Sequence, residues 1–257
     1  MPGEIILETK GLTKEFKGFV AVNNVDLQVR RGDIHALIGP NGAGKTTFFN
    51  LLTKFLPPTR GSITYLGHDI TFERPAQTAR RGIVRSFQIS AVFPHMTVLE
   101  NVRAALQRKL GNSFHFWSPE KSLFHLHQRA EELLDAVDLR GFAHELTVNL
   151  PYGRKRALEL ATTMALEPEL MLLDEPTQGM GHEDVHRVTE LIKKFSVGRT
   201  ILMVEHNMNV VSSIADRITV LQRGAVIADG PYAEVSKNPL VIEAYMGSAD
   251  NELQGAH

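Results

Sequence analysis

Hydrophobic and polar positions alternate along this chain at two different periods, and the changes of period divide it into elements. Residues 4–9 and 25–29 alternate apolar with polar side chains around the turn-like Lys17-Gly18-Phe19, which predicts an antiparallel layer near the N-terminus. "IHALIG" at 34–39 is instead a compact apolar run that ends in glycine, the pattern of a strand buried on both faces. From Lys45 the spacing turns helical and puts Phe48, Leu51, Leu52 and Phe55 on one face. "PPTRGS" at 57–62 stops that helix, and "ITYLGHDI" returns to a strand and turn. Between 88 and 155 strand-like runs are scarce, while "VLENVRAALQRKL" and "HQRAEELLDAVDL" read as helices. Then helix and buried strand alternate: helix 156–166, strand 170–173, helix 183–195, strand 200–204, helix 207–214. "ITVLQRGAVIADG" at 218–230 reads as a hairpin turning at Arg223-Gly224.

Such a rhythm predicts an α/β fold with a mainly parallel sheet covered on both faces. The expected organisation is a discontinuous core of 1–87 and 156–247, a helical insertion at 88–155 and a polar tail at 248–257. Composition narrows the function. Of 257 residues 43% are hydrophobic, so a large core is available, and the formal net charge of −1 gives no basic field to attract nucleic acid or anionic lipid. There is no cysteine, which removes disulfides, thiolate metal sites and cysteine nucleophiles. Apolar runs such as "LMLL" and "ILMV" fall far short of the roughly 20 residues of a spanning helix. The N-terminus, with Glu4 and Glu8 and no long apolar run, does not read as a secretory signal, so a membrane role has to pass through a partner.

The chemistry begins at "GPNGAGKT", residues 39–46, which matches G-x-x-x-x-G-K-[ST] between a buried strand and an amphipathic helix. Glycines 39, 42 and 44 let the backbone curl with its N–H groups inward, and the following helix adds its positive end, so a polyphosphate is held mostly by main chain. Lys45 is expected to reach the β and γ phosphates and Thr46 to coordinate magnesium; Asn41, Ala43 and Thr47 complete the nucleotide-binding set. "LMLLDE" at 170–175 then delivers Asp174 at the carboxyl end of a buried strand, where open sheets place their ligands. Asp174 is assigned to magnesium and Glu175 to polarising the attacking water.

Phosphate loop, helical insertion, "LLDEPT" and "MVEHN" follow in the order used by ATP-binding cassette transporter ATPases, and the chain resembles that family over nearly its whole length. The resemblance implies a RecA-like P-loop NTPase core with an antiparallel β layer and an inserted α-helical subdomain, ATP and Mg2+ as ligands, and hydrolysis that drives a permease. It also implies roles for three residues that, read alone, are a core ring, a loop residue and a helix cap. Phe16 would stack on adenine, where the family more often has tyrosine. Gln88 in "RSFQIS" would touch magnesium and report to the membrane partner, and His206 would contact the γ phosphate. "LPYGRKRALELA", "VFPHMTVLENV" and "IADGPYAEVSKNPLVIEAYMG" most resemble ATPases of branched-chain and hydrophobic amino acid importers, a subfamily that includes urea and amide importers. By that likeness the partners are permease subunits, a second ATPase and, indirectly, a solute-binding protein, with the chain at the cytoplasmic face of the membrane.

One segment departs from the family pattern. Family members close the opposite subunit's ATP site with "LSGGQ" at a helix start, and the corresponding residues here are Leu150, Pro151, Tyr152, Gly153 and Arg154. Proline has neither hydroxyl nor N–H to offer a phosphate. Gly181 likewise stands where the family often has aspartate, in another partner-facing loop. Both changes affect what this chain gives away, so a heterodimer with a different ATPase is favoured over a homodimer. The opposite view is that Pro151-Tyr152 is a neutral variant, since proline suits a helix start. "HEDVH" at 182–186 matches H-E-x-x-H, but Glu183 and Asp184 there suit a helix N-terminus and zinc is set aside. His115, His125 and His127 read as surface, and "FHFW" at 114–117 as insertion core. A soluble ATPase acting on nucleic acid or ribosomes, and a nucleotide-dependent module without turnover, are the competing functions.

Overall fold

The computed structural model describes residues 3–86, 92–109 and 120–245; Gln88, the aromatic cluster at 114–117 and the polar tail lie outside them. Two long strands, β1 (Ile5–Phe16) and β2 (Phe19–Arg30), form the N-terminal hairpin around Lys17-Gly18. They are longer than the alternating pattern suggests because irregularities in their pairing, one between Thr9 and Leu12 and another between Leu12 and Lys14, break the period of two. With β4 (Arg60–Tyr65) and β5 (His68–Asp69) they make an antiparallel sheet in the order β2-β1-β4-β5.

The second sheet contains β3 (Ile34–Ile38), β6 (Ile83–Ser86), β7 (Leu170–Asp174), β8 (Thr200–Val204), β9 (Arg217–Gln222) and β10 (Ala225–Gly230). Its order is β10-β9-β3-β8-β7-β6, parallel except for the final hairpin pair. Every residue of β3, β7 and β8 is buried, so their unbroken apolar character follows from having cover on both faces. Alternation still decides which cover. Leu170 and Leu172 pack with the antiparallel layer and with Phe48 and Phe49 of α1 (Lys45–Leu52), whereas Met171 and Leu173 face the helical side. Truncating Leu172 to alanine in such a layer costs about 2–5 kcal/mol.

The helices of that other side are α3 (Val98–Lys109), α4 (Glu120–Ala136), α5 (Tyr152–Ala165), α6 (His182–Ser196) and α7 (Met208–Ile214), with short α2 (Pro75–Arg80) and α8 (Tyr232–Val235) at the margins. α3, α4 and α5 pack on one another, and α5 also meets β6 and α6. α5 starts at Tyr152, four residues before the helical pattern suggested. The expectation for Phe55 is overturned. α1 ends at Leu52, Lys54 takes a left-handed backbone at φ +64, and Phe55 is 55% exposed. Phe49 is buried in its place.

Candidate nucleotide site

Three neighbouring parallel strands end at one edge of the sheet. Leu37 of β3 and Asp174 of β7 both stand beside Val204 of β8, so the loops leaving these strands share one rim. Those loops carry the phosphate loop, Asp174-Glu175 and His206. The convergence is a consequence of strand order, and it brings together segments far apart in sequence.

The phosphate loop is held from behind. The Gly224 N–H donates to the Ala43 carbonyl at 2.9 Å, and the Gly224 carbonyl accepts from the Asn23 N–H at 2.8 Å. Gly39 and Gly44 are needed for this closeness: a Cβ would stand 2.1 Å from the Leu221 carbonyl oxygen at the first and 2.4 Å from that of Ala21 at the second. Gly42, by contrast, faces open space at φ +76. Lys45 opens α1, and its ammonium donates to the Gly39 carbonyl at 2.6 Å and to that of Pro40 at 3.0 Å. Burial pushes the lysine below its ordinary pKa, while Glu175 and Asp174 pull it back up. Asn41 and Thr46 are exposed and Thr47 is half-buried. Phe16 is 42% exposed at the tip of the hairpin whose Ala21 touches Gly44, with the Lys14 ammonium 5.1 Å from its ring centroid.

Asp174 is buried at the end of β7. One carboxylate oxygen, Oδ2, is ion-paired with Arg85 of β6, whose other nitrogen donates to Asn50 Oδ1 of α1 at 2.6 Å. The second oxygen, Oδ1, is buried and has no hydrogen-bond partner among the described residues. An unsatisfied anionic oxygen and an exposed threonine hydroxyl are hard oxygen donors of the kind that fit magnesium. Glu175 follows with a left-handed backbone, φ +47, fixed by its N–H to the Val204 carbonyl at 2.9 Å. His206 projects at the end of β8 with its side chain 55% exposed, and Asn207, not His206, caps α7.

Glu205 and Arg85 were missed by sequence reasoning. Glu205 is fully buried and accepts hydrogen bonds from Thr177, His206 and Asn207. The available signal was a lone carboxylate closing the apolar run "ILMVE".

The segment 150–154 lies at the start of α5. Pro151 is its N-cap and supplies no side-chain cap bond, while its carbonyl accepts from the Lys155 N–H at 3.0 Å. Tyr152 donates its hydroxyl to the Gln178 carbonyl at 3.3 Å, and the Arg154 guanidinium lies 3.9 Å from the Phe142 ring centroid. Leu150 is buried, and the Asp184 carboxylate lies so close to Gly153 that a Cβ there would come within 2.4 Å of Oδ1. Gly181 is the N-cap of α6, whose first turn carries Glu183 and Asp184; His182 and His186 are exposed.

A phosphate loop after β3, a buried aspartate on β7 and a histidine leaving β8 between them define a nucleotide-hydrolysing cassette. Residues 22–178 match the family described as "ABC transporter", and the chain belongs to that family of transporter ATPases. Residues 225–251 match a second description, "Branched-chain amino acid ATP-binding cassette transporter".

Among relatives, the high-affinity branched-chain amino acid transport ATP-binding protein BraF of Pseudomonas aeruginosa is 40% identical over 251 residues, covering 95% of this chain and 98% of the relative. The corresponding protein LivG of Escherichia coli K12 is 39% identical over the same coverage. Among solved structures, a nucleotide-free ATP-binding cassette from an ABC transporter superposes with a TM-score of 0.81 at 28% identity, over 95% of this chain and 99% of that one. The ADP conformation of the cassette MJ1267 gives 0.82 at 29% identity, over 96% and 99%. The expected fold class and the ABC transporter ATPase reading therefore stand. Among the described residues no helix is long and apolar enough to cross a membrane.

Proposed function

We propose that this chain is the ATP-hydrolysing subunit of an importer for branched-chain or related hydrophobic amino acids, held at the cytoplasmic face of the membrane by permease subunits. The observation that carries the solute class is the end-to-end likeness to BraF, at 40% identity with 98% of that protein covered. In this reading the amides of residues 39–46 and Lys45 bind the phosphates of ATP, and Phe16 stacks against adenine. Thr46, Asp174 and Gln88 would hold magnesium, which when bound neutralises phosphate charge. Glu175 takes a proton from the attacking water, and His206 donates a hydrogen bond to the γ phosphate.

The companion ATPase is a different chain in this proposal. Residues 150–154 complete its ATP site, and Pro151 removes at least one phosphate hydrogen bond there, worth about 1.5–3 kcal/mol toward a charged acceptor. That corresponds to roughly ten- to a hundredfold in ATP-dependent closure. A solute-binding protein acts upstream of the permease.

The hydrolytic assignment is tested by Glu175→Gln in the purified transport complex. We expect turnover to drop by about two orders of magnitude while ATP binding persists; equal turnover in both forms overturns the base assignment. The solute class is tested by uptake of labelled leucine, alanine and urea in cells lacking this chain. Loss of urea uptake alone would overturn the amino acid reading.

A further inference from the structure

The two oxygens of the buried Glu205 carboxylate divide their work between two loops. Oε1 accepts from the Thr177 N–H at 3.2 Å and from the Thr177 hydroxyl, in the loop that follows Glu175. Oε2 accepts from the His206 N–H at 2.8 Å and the Asn207 N–H at 3.0 Å, in the turn that carries the His206 ring. Four donors meet one carboxylate that is 0% exposed, a pattern that only an acceptor-only side chain satisfies. Thr177 is itself buried, so the loop after Glu175 has no water as a substitute partner there. The strands beneath align Asp174 with Val204, and the last backbone bond between them runs from the Glu175 N–H to the Val204 carbonyl at 2.9 Å. Beyond the strand ends, the Glu205 carboxylate bonds both the segment after Glu175 and the segment at His206.

We infer that Glu205 is a positioning residue that sets Glu175 and His206 at one fixed spacing by binding the loop after the first and the turn that carries the second. It touches no substrate. This inference rests on the roles given to Glu175 and His206 above. Its chemical content is that both groups have to meet the same γ phosphate, one through water and one directly, and a displacement of about 1 Å in such a pair costs on the order of a hundredfold in rate.

The test is Glu205→Gln in the purified transport complex, beside His206→Ala and a core variant, Ile192→Val, chosen as a destabilised control. An amide nitrogen cannot accept from an N–H, so the glutamine releases one of the two loops. We expect kcat to fall at least tenfold with KM for ATP changed by less than about threefold, since the Glu205 carboxylate bonds Thr177, His206 and Asn207 and the Lys45 ammonium bonds Gly39 and Pro40. Hydrogen exchange should rise at the Thr177 amide, or at those of His206 and Asn207, and not elsewhere. A kcat loss no larger than that of the control, or kcat and KM moving together, overturns the inference. If His206→Ala retains kcat, the reading of the site fails and this inference with it. If His206→Ala loses kcat while Glu205→Gln keeps it, the inference alone fails.

Discussion

Arg85 on β6 holds one oxygen of Asp174 on β7 and leaves the other buried with no hydrogen-bond partner among the described residues. The guanidinium also reaches Asn50 and lies 5.7 Å from the Phe49 ring centroid, so three elements meet at it. Removing the arginine leaves an uncompensated buried carboxylate. Arg85→Leu is therefore expected to destabilise the chain by about 3–5 kcal/mol in the absence of nucleotide. Magnesium-ATP brings a replacement counter-charge, so the deficit in a urea melt should shrink when it is added. A deficit that is the same with and without magnesium-ATP would show that the two cations do not share Asp174.

Lys54 follows α1 as a buried ammonium whose nitrogen makes no hydrogen bond among the described residues. Burial lowers its pKa from 10.5 to about 8, with Glu73 and Asp69 pulling the other way. Below about 8 both folded and unfolded chains carry the charge, and the fold bears the full cost of burying it. Between 8 and 10.5 the folded chain sheds its proton first, so stability rises with pH. Lys54→Met is expected to be more stable than wild type by about 1–3 kcal/mol at pH 7. That advantage should fade as the pH is raised to 10.5, read from urea midpoints; a constant gap would place the ammonium in water.

His35 has the same sign of shift and an acid window. It is buried on β3, with Nε2 2.7 Å from the Thr219 hydroxyl, and burial lowers its pKa from 6.5 to about 4 against the pull of Asp229. The folded chain keeps the ring neutral while the unfolded chain protonates near 6.5, so stability present above that pH is lost progressively down to about 4. His35→Gln keeps a partner for Thr219 but cannot titrate in this range. Its urea midpoint should fall less steeply between pH 6.5 and 4, and parallel slopes for the two chains would show that His35 accepts its proton inside the fold.

Pro151→Ser separates helix stability from partner closure. Serine at the N-cap of α5 adds a cap bond worth about 1 kcal/mol. Losing proline frees the unfolded chain by about 0.4–1 kcal/mol. The two offset, so the melting temperature should move by only a degree or two. ATP-dependent closure with the companion ATPase should nevertheless tighten by roughly tenfold, measured by sedimentation with ATP in the presence of Glu175→Gln. Unchanged closure would make Pro151 a neutral variant.

What could be read in advance was local. The phosphate loop, β7 and β8 each lie within a few residues of their own signals, and glycine, apolar run and acidic terminus are all adjacent. β6 was not anticipated, because "IVRS" is four residues long with a charge in it. That charge is Arg85, placed in the edge strand to meet Asp174 of the adjacent β7, so the pattern is broken by the site itself. Glu205 is illegible for a related reason: its partner Thr177 stands 28 residues earlier and is near it only after folding. Phe49 and Phe55 exchanged places because the end of α1 depends on a left-handed Lys54, which no apolar spacing reveals.

β3, from which the phosphate loop springs, lies between β8 and β9, and its Ile34 N–H is bonded to Asp216, 182 residues further along the chain. On the ribosome the strand therefore emerges with both of its hydrogen-bonding edges open. At 5–20 residues per second it waits roughly 10–40 s for the neighbours that will cover it. The phosphate loop is made before β7, β8 and β9, yet the sheet rim that carries it is complete only once β8 and β9 have emerged. A release of the chain before β8 and β9 yields an exposed apolar strand with two unpaired edges, a template for aggregation and no cassette at all.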